Sequence, residues 1–137
     1  MFFGTNFANR NLTRMLNEVS KKLKLDNAKA EFFLVDQKNL DKSRKEFFSQ
    51  LEKNEKTADD FILFSFVQGK VTGDPEGDAH VGTIGAFDSK KKLVLVMDSD
   101  REWYEPYWTP AEKIFEAISD PKSDSRREAG WIYFKVR

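Results

Sequence analysis

Two strand-like runs separated by four residues constrain the fold of this chain more than any other feature. "AHVGTIGAF" (79–87) and "KLVLVMD" (92–98) are rich in apolar and β-branched residues, and the intervening "DSKK" reads as a tight connection. So short a link joins antiparallel strands, because a parallel pair needs a crossover of a dozen residues or more. The rest of the chain must be built around that hairpin.

"FILFSFV" (61–67) is almost continuously apolar, which suits a buried central strand. "AEFFLV" (30–35) and "WIYFKV" (131–136) read as two further strands. Helical spacing appears in three places. In "LTRMLNEVSKKL" it puts Leu12, Met15, Leu16, Val19 and Leu23 on one face, expected to meet the core, with Asn11 as cap. "LDKSRKEFFSQLEK" repeats the period through Leu40, Phe47, Phe48 and Leu51. "TPAEKIFEAI" opens with Thr109 as cap, Pro110 at the first helical position and Glu112 three residues after the cap, a capping box. "TADD" reads as a turn, and "GDPEGD" and "DPKSDSRREAG" as surface loops. No linker, repeat or low-complexity tract divides the 137 residues, so a single α+β domain with an antiparallel sheet is expected.

Lysines plus arginines equal aspartates plus glutamates, 23 of each. This balance, with no dense basic block, gives no electrostatic support for a nucleic-acid or membrane-surface partner. The longest apolar run is far too short to span a bilayer, and "MFFGTNFANR" does not have the layout of a secretory leader. A soluble cytoplasmic domain is the resulting expectation. With no cysteine the chain can form neither a disulfide nor a thiolate metal site.

The single histidine, His80, begins the first strand of the hairpin, and Asp98 ends the second. A loop centred on Ser89 puts them directly opposite each other, with Cβ atoms about 4.5–5.5 Å apart. A carboxylate accepting from one ring nitrogen fixes the tautomer and leaves the other nitrogen to act as a base. A one-residue register shift would send the two side chains to opposite faces. Taken alone, a histidine at a strand start is more often a surface or structural residue, and acids after a strand are usually turn residues.

"HVGTIGAFDSKKKLVLVMDSDREWYEPYW" resembles the His-to-Asp segment of the phytochelatin synthase family, papain-like enzymes with a His, an apolar hairpin and then Asp-x-x-Arg-x-x-Tyr-x-Pro-x-Trp. The second part is Asp98, Arg101, Tyr104, Pro106 and Trp108 here. The resemblance implies part of a papain-like fold, a glutathione-like thiol peptide as substrate, and γ-glutamylcysteinyl transfer or hydrolysis. It makes His80 the general base and acid and Asp98 the residue that orients it. It makes Arg101 and Tyr104 the candidate substrate-binding residues, with Arg101 pairing a glutathione carboxylate. Arg101 could equally bridge Asp98, Asp100 and Glu102, and Tyr104, Pro106, Tyr107 and Trp108 read mainly as scaffold. No cofactor and no protein metal ligands are implied, since the family's metal dependence is attributed to metal-thiolate substrate and to cysteines missing here.

The departure from the family pattern is the nucleophile. Papain-type chemistry needs a thiolate at a helix start, and this chain has no cysteine. No serine occupies a matching context, so the Cys-bearing lobe is expected to be absent, supplied by a partner chain or lost by truncation. A pseudoenzyme or interaction module keeping the fold is the alternative. A metal site from "GDPEGDAH" with Asp98 and Asp100 fits poorly, because the spacing is not that of a calcium loop. An incomplete fold should expose an apolar patch, expected from "MFFGTNF" and the His80 strand, and lead to a homodimer or a need for a partner.

Overall fold

The computed structural model describes residues 8–57, 59–74, 79–99, 102 and 104–137. In chain order the elements are α1 (Asn9–Lys22), β1 (Lys29–Leu34), α2 (Leu40–Lys56), β2 (Asp60–Val67) and α3 (Gly69–Thr72). Then come β3 (Ala79–Asp88), β4 (Leu93–Asp98), β5 (Tyr107–Pro110), α4 (Ala111–Ser119), a 3-10 turn (Pro121–Ser123) and β6 (Gly130–Lys135). The strands form one antiparallel sheet in the order β1-β6-β2-β3-β4-β5. This is the expected α+β architecture. The last strand inserts between β1 and β2, so the first and last described strands are neighbours.

Register determines which side chains share a face. Phe33, Trp131, Phe64, Gly82 and Asp98 form one cross-strand row running from β1 to β4. Phe47 of α2 sets its ring edge against Trp131 at 5.2 Å between centroids and lies 5.9 Å from Phe115 of α4, so both helices cover this face. Phe47, Phe64, Phe66 and Trp131 are fully buried. Burying an apolar side chain of this kind stabilises the fold by roughly 1.5–3 kcal/mol.

Two helix starts differ from expectation. Asn11 does not cap α1, which begins two residues earlier after Ala8. Instead Asp124 reaches from the far end of the chain to accept the Asn9 N–H at 2.7 Å. A side chain distant in sequence thus does what a local cap would. Thr109 does not cap α4 either, because its backbone pairs with Val94 in β5. Glu112, free of a capping box, pairs with Arg44 on α2 at 2.6 Å. Asn39, by contrast, caps α2 by accepting the Lys42 N–H.

Of the apolar stripe expected on α1, Leu12 and Leu16 are half-buried, but the other three residues stay exposed. Met15 is 52% exposed, Val19 46% and Leu23 64%. The inward side carries Asn9 and Ser20, both buried, with Leu12, Thr13, Leu16 and Asn17 half-buried beside them. Asn17 donates to the Ala30 carbonyl at 3.0 Å and accepts from its N–H at 2.8 Å. Since β1 is an edge strand, this amide satisfies a free edge that water or another strand would otherwise occupy. Hydrogen bonding to the edge, together with the half-burial of Leu12 and Leu16, orients the helix.

The hairpin also departs from its expected register. Its turn is Ser89–Lys92, with Asp88 accepting the N–H groups of Lys90 and Lys91, and Lys92 at φ 56°. A β-bulge between Ile84 and Ala86 then shifts the pairing, so Asp98 lies opposite Gly82 instead of His80. "MFFGTNF" lies outside the described residues. Among the described residues none of the exposed large apolar side chains belongs to β3; they are on and after α1, at Leu34 and Leu40, and at Phe61, Met97 and Trp108 on the sheet.

Candidate active site

β3 and β4 bring His80 and Asp98 together despite the corrected register. His80 lies two places from Gly82 on β3, hence on the same face as Asp98, and diagonal neighbours remain within reach of longer side chains. Gly82 leaves the space between them clear. A Cβ placed there would meet Phe64 Cζ at 2.9 Å and Phe66 Cε1 at 3.3 Å. The rings of β2 therefore press against the bare backbone of Gly82, and the Asp98 carboxylate spans the gap to the imidazole.

His80 Nδ1 lies 3.1 Å from Asp98 Oδ1. The imidazole side chain is 17% exposed and the Asp98 side chain is fully buried. A buried carboxylate is an acceptor only, so Nδ1 carries the proton and Nε2 is left as the basic nitrogen. The ring is oriented further by Tyr104, whose ring stands edge-on at 6.0 Å with an interplanar angle of 84°. Tyr104 in turn donates its hydroxyl to Asp74 Oδ2 at 2.8 Å.

Two neighbours of Asp98 were not evident from sequence. Gln68, just beyond β2, is fully buried and donates Nε2 to Asp98 Oδ2 at 3.0 Å. It follows Phe64 and Phe66 at alternate positions, and the row Phe64–Phe66–Gln68 was the available signal. Tyr107 pairs with Val96 in β5, a strand that the sequence does not announce. Its hydroxyl is buried without a hydrogen-bond partner among the described residues. Burial, reinforced by the nearby Asp98 and Tyr104, pushes its ionisation well above the usual tyrosine range, so it stays a neutral phenol.

Arg101 and Asp100 lie outside the described residues, as do residues 75–78 of the "GDPEGD" loop. Among the described residues no group of three or more His, Cys, Asp or Glu is placed to hold a metal ion, and no helix is long and apolar enough to cross a membrane. The pair can do one chemical thing: accept and return a proton at Nε2 while Asp98 stabilises the imidazolium. No thiolate in this chain can use it.

A family model for phytochelatin synthase matches residues 9–131, nearly the whole described chain. The chain belongs to the phytochelatin synthase family. Glutathione gamma-glutamylcysteinyltransferase 2 of Arabidopsis thaliana is 25% identical over 105 residues, covering 77% of this chain. The match takes in 22% of that protein, so this chain spans about a fifth of the length of the curated relative it matches.

Proposed function

We propose that this chain is the His/Asp-bearing portion, one domain, of a papain-like dipeptidyl transferase or peptidase that acts on a glutathione-like thiol peptide. The part-buried His80–Asp98 pair is the observation that supports this most directly, in a stretch of a family member whose 137 residues hold no cysteine. In the proposed reaction His80 takes the proton from a cysteine supplied by another chain or by a missing lobe. The thiolate attacks the carbonyl before glycine, and His80 returns the proton to the leaving amine. Asp98 holds the ring, Tyr104 walls the site, and Arg101 pairs with a substrate carboxylate. Such an enzyme belongs in the cytoplasm, where thiols are kept reduced.

The test is mass spectrometry of glycine released from glutathione, by this chain alone and after mixing with a Cys-bearing segment of a family member. No release alone and release with the partner are expected, and His80→Ala should abolish the latter. Release by the chain alone, or turnover unchanged by His80→Ala, overturns the proposal.

The outward apolar stripe on α1 favours a second reading, an interaction module that keeps the fold without the chemistry. In that case no Cys-bearing partner would restore turnover.

A further inference from the structure

We propose that Gln68 is a positioning residue that clamps the outer oxygen of Asp98, so that Asp98 presents only Oδ1 to His80. This deepens the proposed function, and its test does not depend on turnover.

Asp98 has two oxygens in a pocket closed to water. Oδ1 is taken by His80 Nδ1 at 3.1 Å and Oδ2 by Gln68 Nε2 at 3.0 Å. A carboxylate held at both oxygens cannot swing about its last torsion, and Gln68 is the described residue that holds Oδ2. The orientation of the Gln68 amide follows from chemistry. An ionised carboxylate accepts only, so the NH₂ must point at it, and reversing the amide would set oxygen against oxygen.

That orientation has a cost which shows the residue is not mere filling. Gln68 Oε1 is buried with no partner among the described residues. An apolar side chain of the same length would avoid this penalty, so what Gln68 contributes is the bond to Asp98.

Its mount is stiff. The Gln68 carbonyl accepts the N–H groups of Val71 and Thr72 at 2.9 and 3.0 Å and the Thr72 hydroxyl at 3.2 Å. Val71 is buried in the core, and Lys70 ties this short helix to Asp120 at 2.5 Å. Gln68 therefore gives Asp98 a fixed support from the junction of β2 and α3, while His80 and Asp98 come from β3 and β4. Among the described residues the ionisable groups facing the pair are Tyr107 from β5, and Tyr104 with Asp74 beside the ring.

Nitrogen-15 NMR of the His80 ring in the whole chain tests this. At a pH where the ring is neutral, the native protein should show Nδ1 protonated and Nε2 bare, with the Nδ1 proton slow to exchange. Gln68→Met keeps the length and removes the donor. It should convert His80 to a mixture of tautomers and speed exchange of the Nδ1 proton at least tenfold, with strand amide shifts retained. Val71→Ala, which loosens the same helix without touching Asp98, should leave the ring signals unchanged.

Gln68→Glu provides the rescue and covers the case in which Gln68→Met does not fold. Two touching carboxylates retain one proton between them, and the protonated partner can donate as the amide did. The native ring signature should therefore persist from the lowest pH at which the ring is neutral and disappear as the shared proton leaves on raising the pH, a transition absent from the native chain. Unchanged ring signals in a folded Gln68→Met, or no such transition in Gln68→Glu, would overturn the assignment. Equal changes in Val71→Ala would reduce Gln68 to a packing role. If the ring signals respond as described but no partner restores glycine release, the clamp stands and the proposed activity falls.

Discussion

Gly82→Ala should destabilise the fold through one identifiable contact. The new Cβ would lie 2.9 Å from Phe64 Cζ, about 0.6 Å inside the ~3.5 Å at which carbon atoms attract. Phe64 has no room to retreat, being fully buried with its ring 5.0 Å from that of Phe66. Overpacking of this kind costs about 1–3 kcal/mol, and the gain of alanine over glycine within a strand offsets roughly 0.5–1 kcal/mol of it. A net loss of about 1–2 kcal/mol results. For a chain of this length that corresponds to a fall in Tm of roughly 4–8 °C. Thermal and urea unfolding would measure it, and a double-mutant cycle with Phe64→Leu locates the cause. Once the ring is gone, Gly82→Ala should cost under about 0.5 kcal/mol, a coupling near 1 kcal/mol. Additive effects, or a stabilised Gly82→Ala, would refute close packing of the ring on the strand as the reason glycine stands there.

Asn17→Ala should cost about 1–2 kcal/mol by leaving the Ala30 N–H and carbonyl without their partner, with accelerated exchange of the Ala30 amide as the local readout. Val19→Glu and Leu23→Glu, which would be ruinous in a core, should change stability by no more than about 0.5 kcal/mol and raise solubility. For Asp120, burial opposes ionisation but is outweighed by Lys70 and the Lys122 N–H, holding the carboxyl below its ordinary range. Its contribution is therefore complete above the unfolded value near ~3.9 and fades as pH falls through the lower folded value. Lys70→Ala should remove up to about 1 kcal/mol at neutral pH and make acid unfolding less steep, since Lys70 is half exposed.

Much of the architecture was legible because period and turn chemistry are local. The apolar run of β2, the hairpin, and the Phe47 and Leu51 face of α2 all sit where their patterns put them. What sequence could not supply were choices made by distant partners. The stripe on α1 has a helical period, but Asn17 bonding to Ala30 turns the helix so that only Leu12 and Leu16 of the stripe are half-buried. Thr109, Pro110 and Glu112 form a sound capping pattern, yet pairing with β4 claims the Thr109 backbone first. The meeting of His80 and Asp98 was legible as two side chains on one face of a hairpin, although the turn lies later than expected and a bulge intervenes. Gln68 continues the alternating row of Phe64 and Phe66, but that row does not name its partner, which is settled only when β4 is laid beside β3.

The irregularity between Ile84 and Ala86 governs which length changes this segment tolerates. Counted back from the turn, where Phe87 meets Val94, strict alternation would turn His80 to the opposite side from Asp98. Absorbing one surplus residue restores the phase. An allele lacking Gly85 would thus keep the imidazole beside the acid in a straighter strand. Loss or gain of a single residue within 81–84 would aim the imidazole at solvent unless the irregularity were removed as well.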